Sequence, residues 1–210
     1  ALKTGYIAPQ SDGSGRDRRL RAEATALLQK AGFGFNGTQL QDPNGRKVSL
    51  EIIVQRRADE RLALAWRRML AQVGIELSVR LLDSSQYQRR LQTHDFDILV
   101  YNYYASLSPG NEQAYYWGSE AATTQGSRNY AGIQDAGLDN AIQALTQARE
   151  SEAFETAARA LDRALMSGHY FVPLFHNPAQ WVAMSNNIEP PASHSLYGAR
   201  VDSWWFAGTN

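Results

Sequence analysis

Hydrophobic positions recur along the chain with two periods. Leu20, Ala24, Leu27, Leu28 and Ala31 fall on one face of an amphipathic helix that Gly32 closes. A second stripe, Leu62, Trp66, Met69, Leu70 and Val73, predicts a helix over 59–73 stopped by Gly74. Between the two helices the period drops to two. Val48, Leu50, Ile52 and Val54 alternate with Ser49, Glu51 and Gln55, with only Ile53 out of step, so one buried strand face is expected. The turn "DPNG" at 42–45 folds "TQLQ" back against that strand as a hairpin. Ile75, Leu77, Val79 and Leu81 give the next strand, and Tyr87 and Leu91 mark one side of a short helix from Ser84. "FDILVYNYY" is apolar nearly throughout, which predicts a strand covered on both faces.

The order β, α, β, α, β over 47–104 predicts an α/β fold whose three strands run parallel through right-handed crossovers. In such sheets ligands gather outside the carboxyl ends of the strands. The loop at 105–130 leaves that end of the third strand, which is expected to be the central one. Two helices follow, one through Leu138, Ile142 and Leu145 and one through Phe154, Ala158, Leu161 and Leu165. "YFVPLFH" and "QWVAMS" then predict two strands, with Pro173 placing the first at an edge or bulge, before an irregular tail from Pro190.

Composition narrows the function classes. A chain of 210 residues, 43% hydrophobic and 20% charged, buries a real core, which excludes disorder. Lys+Arg and Asp+Glu balance at 21 each, and clusters such as "RDRRLR" at 16–21 and Arg89-Arg90 lie among acids, which argues against a nucleic-acid partner. Without cysteine there is neither a disulfide framework nor a thiolate metal site. No apolar run reaches the roughly 18 residues of a membrane span. The start, "ALKTGYIAPQ", has neither an initiator Met nor a signal-peptide layout, so the expectation is a piece of a longer protein with any export signal upstream.

The catalytic motifs are sparse. "GFGFNG" at 32–37 fits the dinucleotide pattern letter for letter but follows a helix and leads to a strand, the reverse of what phosphate cradling needs. Its glycines read as a helix cap and a turn. "NGT" at 36–38 is a formal glycosylation acceptor too short to use. There is no G-x-S-x-G elbow, and His94, His169, His176 and His194 lack metal-triad spacing. "HDFD" offers His94, Asp95 and Asp97 to a hydrolase or transferase, or simply makes a polar turn into a strand.

The 101–130 segment differs. Six of the ten tyrosines (Tyr101, Tyr103, Tyr104, Tyr115, Tyr116, Tyr130) and Trp117 lie there, interleaved with Ser106, Ser108, Asn111, Arg128 and Asn129. Rigid aromatic area with hydrogen-bonding tips suits recognition. The same rings could instead pack as a satellite core. The residue pattern leaves both readings open, and the exposure of Tyr103 and Trp117 separates them.

"SLSPGNEQ" at 106–113, "YWGS" at 116–119 and "GSRNYAGI" at 126–133 resemble a signature within the family 5 extracellular solute-binding proteins, the oligopeptide and dipeptide receptors of ABC importers. The runs at 57–97 and 158–176 are similar to the flanking parts of that family, so the resemblance covers essentially the whole chain. It implies a lobe of the periplasmic-binding-protein type II kind, a mixed sheet with a parallel βαβαβ core flanked by helices. Residues 1–169 would form the C-terminal ligand-binding lobe, and 170–210 would return toward an N-terminal lobe absent from this chain.

The resemblance further implies a binding protein rather than an enzyme. Such a receptor captures peptides or peptide-like solutes in the periplasm for an inner-membrane ABC permease, without cofactor or metal. The implied ligand-binding residues are Tyr103, Tyr104, Ser106, Ser108, Asn111, Trp117, Arg128, Asn129 and His176. Many peptide-binding members carry "GW..D" where this chain has "NYYAS", so Tyr103 stands for the Trp and Ser106 for the Asp that pairs with a peptide's α-amino group. A hydroxyl supplies no charge for that pair, and a buried amine without a partner is costly. A receptor of the same family for a non-peptide solute is the alternative within this reading.

Overall fold

The structure, a computed structural model, describes residues 7, 9–103, 108–175, 179–193, 196 and 198–208. The chain divides into two compact units, 1–171 and 172–210.

In the first unit, α1 (Arg18–Lys30) is capped by the Asp17 carboxylate, which accepts from the Leu20 N–H. Its Leu20, Ala24 and Leu28 are half-buried and Leu27 is exposed, so the predicted stripe is present but only partly covered. Gly32 takes the left-handed φ of 88° that ends the helix, and a small hairpin follows, β1 (Gly34–Asn36) with β2 (Gln39–Gln41), turning at Gly37 (φ 61°). The glycines of "GFGFNG" therefore serve as a cap and a turn. The "DPNG" turn closes as expected, with Gln41 bridged to Lys47 and the Asp42 side chain accepting from the N–H groups of Asn44 and Arg46.

Three parallel strands form the sheet, in the order β4 (Glu76–Leu81), β3 (Ser49–Val54), β5 (Ile98–Leu99). The βαβαβ order and direction are as the pattern predicts, but the central strand is β3. Ile53, out of step in the sequence, explains this. Ile52 and Val54 pack with Ala63 and Leu77 on one face, while Ile53 packs with Tyr87 and Leu91 on the other. The expected central strand in "FDILVYNYY" shrinks to two half-buried residues at the sheet edge, among the described residues. Continuous apolarity signalled covering on both sides, and part of that covering comes from rings and loops rather than strands.

Two helices complete this layer. α2 (Arg57–Ala71) turns Ala63, Trp66 and Leu70 to the sheet and leaves Leu62 and Met69 exposed; α3 (Ser84–Gln92), capped by Asp83, buries Tyr87 and Leu91. Gly74 closes the turn between α2 and β4 with φ 77°, where a Cβ would lie 2.7 Å from the Leu40 backbone nitrogen. Past the loop come two short helices the pattern did not show, α4 (Glu112–Trp117) and α5 (Ser119–Ala122). Then α6 (Ala136–Gln147) and α7 (Ser151–Ser167) pair through Leu138, Ile142, Leu145, Leu161 and Leu165.

Among the described residues, neither of the two strands predicted in "YFVPLFH" and "QWVAMS" is formed. The described residues 172–175 and 179–185 carry no strand, and Val172, Leu174, Phe175 and Trp181 are exposed. A strand needs cover for its apolar face as well as a partner for its backbone, and the side chains of Val172, Leu174, Phe175 and Trp181 lack that cover within the second unit. Pairing is found instead between β6 (Ile188–Glu189), just before the tail expected to be irregular, and β7 (Trp205–Phe206) within it, antiparallel, with a 3₁₀ turn at Val201–Ser203 before β7.

Candidate functional site

The aromatic segment begins where β5 ends, at the carboxyl side of the parallel sheet. A continuous series of rings results. Tyr101 lies 4.8 Å from Tyr130 and 4.9 Å from Tyr103, centroid to centroid; Tyr103 lies 5.4 Å from Tyr116 and 4.6 Å from Trp117; Trp117 lies 5.6 Å from Phe171. Most meet edge to face, the arrangement that ring quadrupoles favour. At the other end Tyr130 touches Phe96 and His94, at 6.1 and 6.0 Å.

Exposure divides these rings into two groups. Trp117 is 7% exposed, belongs to the α6/α7 core, and donates its indole N–H to Gln113 Oε1 at 3.0 Å. Tyr116 sits in the same core. Tyr103 remains 36% exposed and Tyr115 45%. Burial, then the fields of Tyr101, Tyr130 and Tyr116, push the Tyr103 phenol well above its ordinary range, and Tyr130 shifts the same way, so both stay neutral donors. Trp117 and Tyr116 thus pack as the core reading expects, while Tyr103 and Tyr115 leave an exposed edge above that buried base.

The polar residues sort similarly. Asn129 is 1% exposed; its Nδ2 donates to the carbonyls of Gly118 and Ile133, and its Oδ1 accepts from the Ile133 N–H, all at 2.9 Å. That side chain fixes the loop. Gly118 belongs to the same knot, since a Cβ there would lie 2.6 Å from the Ala114 carbonyl oxygen. Ser108 and Asn111 are exposed at the start of α4, where the Glu112 carboxylate accepts from the Gly110 N–H. Arg128 is exposed, its Nη1 3.3 Å from the Tyr116 hydroxyl and its guanidinium about 6 Å above the Tyr115 and Tyr116 rings. Tyr104, Ser106 and His176 lie outside the described residues.

A cavity of about 220 Å³ opens beside this edge, lined by Gln88, Leu91 and Gln92 of α3 and by Tyr101, Tyr115, Gly126, Ser127, Arg128 and Tyr130. The α3 glutamines carry no sequence signal of this role, because spacing along a helix does not tell which loop will settle on it. A second recess, about 330 Å³, is bordered by Glu51, Arg80, Gln86, Arg89, Arg90 and Asp95. There Glu51 pairs with Arg80 at 2.9 Å and Arg90 at 2.7 Å; burial opposes its charge, but those two partners outweigh it and hold the carboxyl below its usual range.

"HDFD" works as a turn. His94 adopts φ 51° with its ring against Phe96 and Tyr130, Asp95 pairs with Arg90, and the Asp97 carboxylate accepts the Glu51 N–H at 2.8 Å. Among the described residues no group of three or more His, Asp or Glu is placed to hold a metal ion.

Residues 3–125 match the sequence pattern of the bacterial extracellular solute-binding proteins, family 5, middle region. The chain belongs to family 5. Its relatives include a binding protein of Brucella melitensis, 45% identical over 197 residues, 94% of this chain and 32% of that one. The peptidoglycan-binding protein YepA of Agrobacterium fabrum is 41% identical over 202 residues, 96% of this chain and 33% of that one. This family 5 chain thus spans about a third of the length of the curated relatives it matches.

Among solved structures, the oligopeptide-binding protein AppA of Bacillus subtilis, in complex with a nonapeptide, superposes with a TM-score of 0.70 at 18% identity over 89% of this chain and 37% of that one. The same fold occurs in MelB of Agrobacterium fabrum in complex with stachyose, with a TM-score of 0.59 at 19% identity over 79% of this chain and 28% of that one. The fold is the periplasmic-binding-protein type II lobe that the resemblance implied. The family 5 relatives are binding proteins, which overturns the hydrolase or transferase alternative built on His94 with Asp95 or Asp97.

Proposed function

We propose that this chain is the ligand-binding lobe of a periplasmic receptor that captures peptides or peptide-like solutes and passes them to an inner-membrane ABC permease. The observation that carries the reading is the half-exposed aromatic edge at the carboxyl side of the sheet, in a chain of an extracellular solute-binding family. Tyr103 offers stacking area. Arg128 offers a charged group beside it, and Ser108 and Asn111 offer exposed polar groups ahead of α4, while Trp117 and Asn129 hold the edge in place. Tyr104, Ser106 and His176 complete the proposed contact set. Such a mixture of rigid apolar surface and a few oriented polar groups is the usual makeup of a small-ligand site.

Residues 170–210 are proposed to return to the other lobe of the longer protein, so that closure of two lobes on the solute marks the loaded state. The 41% identity with a peptidoglycan-binding protein makes peptidoglycan peptides the first candidates. The stachyose held by MelB keeps a non-peptide solute as the second reading, because exposed tyrosines also stack on sugar rings. Mass spectrometry of the solute retained by the gently purified full-length receptor, followed by thermal-shift titration, tests the choice. Retained peptides that also raise the melting temperature support it. Shifts with oligosaccharides but with no peptide sink it.

A further inference from the structure

Arg128 is the only Lys or Arg between Arg90 and Arg149, and it stands at the exposed edge of the aromatic wall. The groups that hold it are neutral: the Tyr116 hydroxyl and the rings of Tyr115 and Tyr116. Those rings are themselves fixed, Tyr116 by burial and Tyr115 by donating its hydroxyl to the Gly126 carbonyl at 2.6 Å. Three carboxylates of the surrounding sequence are committed elsewhere. Glu112 accepts from Gly110, Asp135 caps α6, and Asp139 accepts both the N–H and the hydroxyl of Ser119. Among the described residues no acid pairs with Arg128, and the cavity it borders has no acid in its lining.

A fixed guanidinium facing a recess of amides and phenols, with no counter-charge, favours an oxyanion. Its planar fork matches a carboxylate through two parallel hydrogen bonds, and it keeps its charge at any ordinary pH. Gln88, Gln92 and Tyr101 border the same space and can donate to the oxygens that the fork leaves unfilled. About 220 Å³ holds the end of a ligand rather than a whole oligopeptide. We propose that Arg128 receives a carboxylate of the captured solute in this recess, so that the receptor selects its ligand by an acidic end. This rests on the reading of the chain as a peptide receptor, and it names the charge that the reading leaves open.

The test uses the full-length receptor and a tripeptide library prepared as free acids, as C-terminal amides, and as amides with an internal Glu. In calorimetric titration the free acids are expected to bind at least about tenfold tighter than the plain amides, in line with a lost charge-assisted hydrogen-bond pair. Arg128→Gln should bring acids down to the level of amides, and Arg128→Lys should retain part of the difference. Circular dichroism melts of both variants show whether the fold survives. Internal-Glu amides that recover tight binding only when Arg128 is present also support the proposal, with a side chain as the source of the carboxylate. Equal binding of acids and amides by the native receptor overturns this proposal alone. Binding of stachyose but of no peptide in any form overturns it together with the peptide reading.

Discussion

The Asn129 side chain makes three hydrogen bonds, all to the loop that carries the aromatic wall. Asn129→Ala strands a buried N–H and two carbonyls, so it should cost about 3 kcal/mol, read as a lower urea midpoint with little change of slope. Tyr87 makes a different prediction. Burial first, then the negative charge of Asp59, pushes its phenol from 10.0 up to about 12, and the hydroxyl donates to the Val100 carbonyl at 3.0 Å. Between those two values the unfolded chain has lost the proton and the folded chain keeps it, so stability falls as pH rises through that window. Tyr87→Phe should lose about 1 kcal/mol at neutral pH and remove its part of the alkaline decline, seen by comparing melting temperatures from pH 9 to 11.5. The resemblance implied Asn129 and Trp117 as ligand groups, and the structure gives both of them bracing partners, since amides and indoles serve either use. Residue type did not distinguish the two uses; the partners of each polar atom do.

Helices and the parallel core were legible because an amphipathic stripe or a period of two reflects which side is buried, and that holds whatever the neighbour is. The centre of the sheet was not. Ile53 looked like a fault in an alternation, yet it is the residue that makes β3 the covered strand, while the more apolar "FDILVYNYY" yields an edge. α4 and α5 escaped notice because six- and four-residue helices are too short to show a stripe. Gly74, in contrast, was legible as a stop, and the structure adds why no other residue fits. Both its φ of 77° and the Leu40 nitrogen 2.7 Å from a Cβ forbid a side chain. Gly74→Ala should therefore cost about 2 kcal/mol or more, measured by denaturant unfolding, although alanine is ordinarily the better helix neighbour.

At the scale of the molecule, the apolar residues from Val172 to Met184 announced strands in the sequence and are exposed in the structure of their unit. Pattern records the need for cover; it does not say which segment provides it. If the other lobe of the longer receptor provides both that cover and the opposing half of the site, the isolated chain should bind peptide much more weakly than the full-length protein in parallel titrations. Equal affinities would sink the two-lobe account. Within residues 1–171, the helical core around Leu138, Leu161 and Leu165 and the sheet core around Ile53 and Tyr87 are separate clusters. Tyr103 links them, touching Tyr101 toward Tyr130 on one side and Tyr116 and Trp117 on the other. Its ring is thus a mechanical splice as well as a surface. While it is in place the two cores should melt together in a single transition, the same by far-ultraviolet and near-ultraviolet circular dichroism. Tyr103→Ala should let them come apart at different temperatures, making the half-exposed aromatic edge the seam on which the cooperativity of residues 1–171 depends.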